Sequence, residues 1–95
     1  MPSLWRRIRG WFSASPRNDL RVVAYTRANC PLCDKAAEFL TSEQKRFGFA
    51  LVWVDIANDS ELTALHGDWI PVVEINGTVR FRGRINPVLW RRLIR

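Results

Sequence analysis

The sequence contains only two cysteines and one histidine among its 95 residues, and this scarcity excludes two classes of small protein. A disulfide scaffold of this length needs more cysteine pairs, and a structural zinc site needs four protein ligands, usually Cys and His. Cys30 and Cys33 stand close together, whereas His66 lies far along the chain from both. A closed zinc site within this chain is therefore not expected.

Long apolar runs are also missing. No stretch approaches the roughly 18 residues that a membrane-spanning helix needs, and the basic N-terminus lacks the apolar core and cleavage site of a secretory signal. The composition, 47% hydrophobic and 25% charged, is typical of a globular domain. We therefore expect a single domain in the reducing cytoplasm, where a cysteine pair cycles between dithiol and disulfide.

The net charge of +6 is unevenly distributed. All nine acidic residues lie between positions 19 and 79, whereas both ends of the chain carry arginine without any acid. Basic ends of this kind attract anionic lipid, nucleic acid or acidic proteins, although a basic surface that is simply solvated fits the pattern equally well.

Residues 1–18 are predicted to form a basic amphipathic extension and linker that precedes a domain over residues 19–95. The apolar residues of the extension fall on one helical stripe, with arginines on the remaining positions: Leu4, Trp5, Ile8, Trp11 and Phe12. Such a segment is typical of weak contact with an anionic membrane surface. We expect this segment to pack on the domain or to fray, with the membrane contact as the alternative, and nucleic-acid binding is not expected.

The two cysteines lie at a predicted strand-to-helix turn. An apolar run over residues 22–25 predicts a buried strand before them, and apolar residues recur at helical spacing after them. Pro31 suits the first turn of a helix, so Cys30 lies at the helix N-terminus, where N–H groups and the macrodipole stabilise a thiolate. The pattern indicates a dithiol redox site, with a copper carrier or two merely packed cysteines as alternatives.

Periodicity and turn residues predict the order β-α-β-α-β-β-α. Strands are expected over 20–26, 49–56, 71–76 and 78–82, and helices over 31–46, over 61–66 and from 87 onward. Asn76-Gly77 indicates a hairpin. The first strand is expected to be covered on both faces, and His66 is expected to face solvent. The inner face of the last helix is predicted to comprise Leu89, Trp90, Leu93 and Ile94.

This order resembles the glutaredoxin-type thioredoxin fold over residues 20–95. The motifs that carry the resemblance are Cys-Pro-Leu-Cys, Val54-Asp55-Ile56 and Ile70-Pro71-Val72, and they are most similar to the small, poorly characterised glutaredoxin-like branch. The resemblance implies an α/β architecture with a four-stranded mixed sheet flanked by helices. A copper carrier would instead follow the order β-α-β-β-α-β, so this alternative is disfavoured.

The resemblance further implies an enzyme, a thiol–disulfide oxidoreductase that reduces protein or glutathione-mixed disulfides. Cys30 would be its exposed nucleophile and Cys33 its resolving thiol. Pro71 matches the cis-proline of the family, and a cis X-Pro bond is rare enough to indicate a specific role. The residues that would contact substrate are Arg27, Pro31, Ile70, Pro71, Gly83 and Arg84.

Two departures from the glutaredoxin pattern concern glutathione. Leu32 stands where typical glutaredoxins have an aromatic residue, and Arg84-Ile85-Asn86 replaces the acidic run that follows the glycine. Glutathione stays a candidate co-substrate despite these departures. Its carboxylates could be bound by three arginines on one strand face, Arg80, Arg82 and Arg84. We expect a monomer with no protein-held metal and no tightly bound cofactor. The alternative function is a binding module that holds an iron–sulfur cluster or another soft metal through Cys30 with glutathione.

Overall fold

A computed structural model of the protein describes residues 17–95. In this part of the chain the elements are β1 (Arg21–Thr26), α1 (Pro31–Phe47), β2 (Ala50–Asp55), α2 (Ser60–His66), β3 (Val72–Ile75), β4 (Thr78–Arg82) and α3 (Pro87–Ile94). The predicted order is confirmed, and each predicted boundary lies within one residue of the observed one. The predicted extension, apart from Arg17 and Asn18, lies outside the described residues.

The strands form one mixed sheet in the order β2-β1-β3-β4. β1 pairs with β2 in parallel and with β3 antiparallel, and β3 pairs antiparallel with β4. In the hairpin between β3 and β4, Asn76 and Gly77 have φ values of 51° and 85°. Both are left-handed, as a tight two-residue hairpin requires. The expected α/β fold with a four-stranded mixed sheet is thus confirmed.

The main hydrophobic core lies between the sheet and the helices α1 and α3, and Trp90 is at its centre. Trp90 is fully buried, and its ring centroid lies 5.7 Å from that of Phe39, 5.6 Å from that of Phe49 and 6.5 Å from that of Phe81. These aromatic rings come from α1, from the residue before β2 and from β4. Offset and edge-to-face pairs at such distances add to the stabilisation from burial, so Trp90 connects all three elements to α3.

A buried polar contact also joins α1 to α3. The indole Nε1–H of Trp90 donates to Oε1 of Glu43 at 2.8 Å. The other carboxyl oxygen, Oε2, lies 3.7 Å from the guanidinium groups of Arg46 and Arg91. Glu43 is buried, and a buried carboxyl group is tolerated only with such partners. Helical spacing places Glu43 on the buried stripe of α1 with Ala36 and Leu40. Its partner Trp90 lies too far along the chain for local periodicity to indicate the contact.

The first strand is not covered on both faces, which corrects the expectation from its apolar sequence. Val22 and Ala24 are buried against α1 and α3, but Val23 and Tyr25 on the opposite face are only half-buried. Their neighbour Val52 on β2 is exposed. The reason is length: in the part of the chain described, α2 has only seven residues and covers one end of this face.

Two side chains of the helices also differ from expectation. His66, predicted to face solvent, is 6% exposed, because its ring lies against Tyr25 with centroids 4.6 Å apart. Leu89, predicted to be on the inner face of α3, is 45% exposed, because Trp90 and Ile94, one turn apart, take the face towards the core. Within residues 17–95, none of the helices has the length and apolar character that crossing a bilayer would require.

The contact between Trp90 and Glu43 can be tested by stability measurements. Trp90→Phe removes the indole donor and leaves Oε1 of Glu43 buried without it, so we expect the free energy of unfolding to fall by about 2–3 kcal/mol. Glu43→Gln keeps an acceptor for the indole and should cost about 1 kcal/mol. Urea denaturation followed by circular dichroism measures both values.

The matched control is Trp53→Phe, because Trp53 lies exposed on the edge strand β2. This change should alter the free energy of unfolding by less than about 0.5 kcal/mol. Equal losses for Trp90→Phe and Trp53→Phe would contradict the role assigned to the buried contact.

Candidate active site

Cys30 is the N-cap residue of α1. Its backbone is extended, with φ −123° and ψ 104°, and its Sγ accepts a hydrogen bond from the backbone N–H of Cys33 at 3.2 Å. Pro31 fills the first helical position, where no N–H partner is needed. The preceding Asn29 has a left-handed φ of 60°, which Asn tolerates better than most residues. The local sequence therefore points the sulfur of Cys30 at the N–H groups of the first turn, the place where a helix stabilises an anion.

Cys33 lies one turn further along α1 and differs from Cys30 in its environment. It is 4% exposed and belongs to a small apolar cluster with Ile56 and Ile70, whereas Cys30 is half-buried at the edge of that cluster. Burial raises the pKa of the Cys33 thiol to about 11, and the hydrogen bond with Cys30 adds to the rise. The backbone N–H of Arg27 partly offsets it. Cys33 is therefore a protonated thiol at neutral pH.

The segment before β3 lies next to the cysteine pair. The Ile70–Pro71 peptide bond is cis, which confirms the prediction for this bond. Ile70 shares its apolar cluster with Cys33, so the fold brings two predicted substrate-contact residues, Ile70 and Pro71, to the dithiol. The backbone N–H of Gly83 donates to the carbonyls of Trp69 at 3.0 Å and Pro71 at 2.9 Å. Gly83 has a φ of +80°, which favours glycine at this position.

A groove of about 170 Å³ opens beside the first turns of α1. Its lining residues come from α1 and from the segment after β4: Leu32, Lys35, Ala36, Phe39, Gly83, Arg84 and Ile85. Two predicted contact residues, Gly83 and Arg84, thus line the groove. Lys35 and Arg84 are exposed cations at its rim, above an apolar floor. The groove is suited to a ligand that combines a carboxylate with an apolar stem.

The sequence analysis did not identify Lys35 as a site residue, although helical spacing predicts its place beside Leu32. Lys35 follows Leu32 by three positions, so both side chains lie on one face of α1. Arg27 and Pro31, both predicted substrate contacts, are exposed and do not line the groove. The contact of Arg27 with the site is through its backbone, which lowers the pKa of the Cys33 thiol.

Trp69 is an exposed aromatic residue close to the cis-proline. Its side chain is 59% exposed, so it lies at the surface and not in the core. Its carbonyl accepts from Gly83, which fixes the backbone at this point. The exposed indole adds apolar surface next to the segment that contains the cis-proline.

No group of three or more His, Cys, Asp and Glu side chains lies together in residues 17–95 in a way that could hold a metal ion. The cluster-binding alternative, which needs only Cys30 from this chain together with glutathione, does not depend on such a group and stays a prediction.

The difference between the two thiols can be tested by alkylation. With a limiting amount of iodoacetamide at pH 7 and the protein fully reduced, we expect Cys30 to be labelled faster than Cys33 by at least about tenfold, because only the thiolate reacts. Both cysteines lie in one tryptic peptide, residues 28–35, so tandem mass spectrometry must assign the label. The denatured chain, in which both cysteines are exposed, is the control. Preferential labelling of Cys33 in the folded protein would contradict the assignment.

The raised pKa of Cys33 also predicts a pH dependence of stability. The unfolded chain loses this proton at about pH 8.5–9, and the folded protein loses it at about pH 11. Between these values the folded state binds more protons, so the free energy of unfolding should fall as the pH rises. The full contribution is present below about pH 8.5 and is lost on passing pH 11.

Urea denaturation of the reduced protein between pH 8 and pH 11 measures this slope, and Cys33→Ala is the comparison. Burial and the hydrogen bond to Glu74 also raise the pKa of Tyr25, but Tyr25 contributes equally to both proteins. The slope should be shallower in Cys33→Ala. Identical slopes would show that Cys33 does not titrate as described.

The geometry is in agreement with comparisons to known proteins. Residues 21–92 match the family described as Glutaredoxin-like domain (DUF836). Two proteins named Probable Thioredoxin, from Methanothermobacter marburgensis and Methanothermobacter thermautotrophicus, are each 33% identical to this chain over 67 residues. In both cases the match covers 67% of this chain and 79% of the relative.

Solved structures show the same fold. A solution NMR structure of a Nitrosomonas europaea protein aligns with a TM-score of 0.68 and 23% identity, over 85% of this chain and 94% of that one. The oxidised thioredoxin of Plasmodium falciparum aligns with a TM-score of 0.56 and 22% identity, over 97% of this chain and 88% of that one. On the match to its family, which spans most of the chain, this protein belongs to the glutaredoxin-like (DUF836) family of thioredoxin-like proteins.

Proposed function

We propose that the protein is a thiol–disulfide oxidoreductase in which Cys30 is the attacking thiolate and Cys33 the resolving thiol. The observation that carries this proposal is the contrast within the pair. Sγ of Cys30 sits at the N-cap and accepts the N–H of Cys33 at 3.2 Å, whereas the thiol of Cys33 is buried with a pKa of about 11. Sγ of Cys30 is thus positioned to react first, whereas the thiol of Cys33 stays protonated. Membership of a glutaredoxin-like family supports a redox function.

The first step forms a mixed disulfide. The thiolate of Cys30 attacks one sulfur of the substrate disulfide, a Cys30–substrate S–S bond forms, and the substrate S–S bond breaks. The second substrate sulfur leaves as a thiolate and takes a proton from solvent. Cys33 does not compete in this step because its thiol is protonated at neutral pH.

The second step releases the substrate. Cys33 gives up its proton and attacks Sγ of Cys30, so the intramolecular disulfide forms as the mixed disulfide breaks. The departing substrate thiolate is the base that accepts the proton. The substrate has then gained two electrons and two protons, and the protein has become a disulfide. A low-molecular-weight thiol or a protein dithiol returns it to the reduced state by the reverse exchange.

Substrate binding is proposed at two places next to Cys30. The main chain of Ile70, beside the cis-proline, would pair with a peptide backbone, as the resemblance implies. The groove lined by Lys35 and Arg84 would bind a carboxylate of a thiol such as glutathione. This arrangement makes both protein disulfides and glutathione-mixed disulfides substrates.

The proposal is tested by disulfide reduction with the full chain. We expect turnover of a glutathione-mixed disulfide or of a protein disulfide, and its loss in Cys30→Ser. Cys33→Ser should still complete the first step with a protein disulfide and accumulate a mixed disulfide on Cys30, seen as a mass increase that dithiothreitol reverses. Retained turnover in Cys30→Ser, or a mixed disulfide on Cys33, would refute the assignment.

The same assay tests the groove. Lys35→Glu combined with Arg84→Glu should raise KM for a glutathione-mixed disulfide roughly tenfold, because a charged hydrogen bond is worth about 1.5–3 kcal/mol. It should leave KM for an uncharged small disulfide nearly unchanged. Lys45→Glu, remote from the groove, is the control. Visible absorbance and bound iron that depend on Cys30, without any disulfide turnover, would instead favour the cluster-binding alternative.

A further inference from the structure

β2 is an edge strand of the sheet. In the part of the chain that the structure describes, β1 pairs with one side of β2 and no strand pairs with the other. The N–H groups of Ala50 and, just past the strand, Ile56 donate to carbonyls of β1 and of the residue before it. Alternate residues of a parallel strand bond to the same neighbour. The residues whose backbone N–H and C=O groups point away from β1 are therefore Leu51, Trp53 and Asp55.

The two edges of the sheet differ in their side chains. β4 carries Arg80 and Arg82, both exposed, and charged side chains on an edge strand oppose pairing with another strand. β2 has neither charge nor proline before its last residue, Asp55. Val52 and Trp53 are 36% and 42% exposed on it. The edge at β2 is therefore the one suited to pairing with a further strand.

The outward groups of β2 are self-complementary. When two copies of β2 pair antiparallel with Trp53 opposite its own copy, Leu51 lies opposite Asp55 of the second copy. All three outward residues of each strand then exchange both of their backbone hydrogen bonds. A shift by two residues would leave one of the three without a partner on β2, and a shift by one would place outward groups opposite inward ones.

The side chains also match in this register. Trp53 lies beside Ala24 of β1, on the face of the sheet that carries α1 and α3. The two copies of Trp53 would therefore form a cross-strand aromatic pair. Val52 lies beside Val23 on the opposite, open face. It would meet Val54 of the second copy, so that the apolar strips of the two open faces become continuous.

We propose that two copies of this chain form a symmetric dimer through antiparallel pairing of β2 with β2. The two four-stranded sheets then make one continuous sheet, and both copies contribute the same strand, as a two-fold axis requires. An extended segment of another protein can also pair with an edge strand. The second copy is favoured because β2 itself supplies the apolar side chains that match Val52, Trp53 and Val54.

The size of the edge sets the strength of the dimer. β2 has six residues and is about 20 Å long. The sheet with its helix layer is about 20–25 Å thick. Two such edges would bury about 400–500 Å² of each copy, or roughly 1,000 Å² in total, slightly less than the about 1,200–2,000 Å² of stable interfaces. We therefore expect a reversible dimer with a Kd of about 10–100 µM.

This arrangement leaves both dithiols accessible. Cys30 follows the C-terminal end of β1, and the two-fold axis directs the two copies of β1 in opposite directions. The two sulfur pairs therefore lie towards opposite ends of the shared sheet. The inference is independent of the proposed function, since it uses no residue of the redox site.

The test is sedimentation velocity of the full chain between about 5 and 500 µM, a range that brackets the expected Kd. A phosphine reductant is present throughout, so that no intermolecular disulfide forms. Trp53→Glu should weaken the dimer by at least about twentyfold, because it removes the aromatic pair and places like charges directly opposite each other. Trp53→Pro removes an outward N–H that the monomer does not use, and should weaken the dimer by at least about tenfold.

The matched control is Trp69→Glu, the same substitution at an exposed tryptophan outside β2. It should retain the dimer within about threefold. A loss as large as that of Trp53→Glu would show that any added negative charge disturbs association, and would contradict the role given to β2.

Amide hydrogen exchange of the unmodified chain tests the register without relying on a variant that folds. Raising the protein concentration through the Kd should slow exchange at Leu51, Trp53 and Asp55. The amides of Val52 and Val54 already bond to β1 and should change little.

Two further results would overturn the proposal. One is a full-length chain that stays monomeric at about 500 µM, well above the expected Kd; this is the monomer expected from the sequence. The other is protection of the Leu51 and Trp53 amides that does not change with concentration, which would show that the same chain covers the edge.

Discussion

The packing around Trp90 is the constraint on which the rest of the structure depends. Its ring holds α3 against α1, β4 and the residue before β2, and its indole N–H contacts Glu43 inside the helix pair. Because α1 is fixed in this way along its length, its N-terminus is fixed next to the segment before β3. Two sets of contacts thus hold the ends of α1: the packing around Trp90, and the apolar cluster of Cys33, Ile56 and Ile70 next to Cys30.

The chemistry of the dithiol arises from a difference of one helical turn. Cys30 is at the N-cap and half-buried, so its sulfur meets the N–H groups of α1. Cys33 is inside the turn, where Ile56 and Ile70 exclude water and raise its pKa. The same helix therefore makes two cysteines of identical covalent structure unequal. The two ends of α1 differ as well, since one carries the sulfur pair and the other carries two basic residues in its last turn, Lys45 and Arg46.

Local features of the sequence were predicted well because neighbouring residues determine them. The N-cap position of Cys30 and the Asn76-Gly77 hairpin each depend on a few adjacent residues. The cis bond before Pro71 was predicted from family resemblance and is confirmed. The groove was predicted only in part, because Gly83 and Arg84 line it but Lys35 was not foreseen.

The sequence by itself determined the order of the elements, the location of the two cysteines on a strand-to-helix turn and the family. Tertiary structure alone decided which distant side chains meet and where burial departs from the local pattern. His66 is buried because its ring lies against Tyr25. Glu43 is tolerated in the interior because an indole and two guanidinium groups surround its carboxylate. Val23 is only half-buried because α2 is short. These outcomes depend on residues distant in the chain, and local periodicity contains no information about such partners.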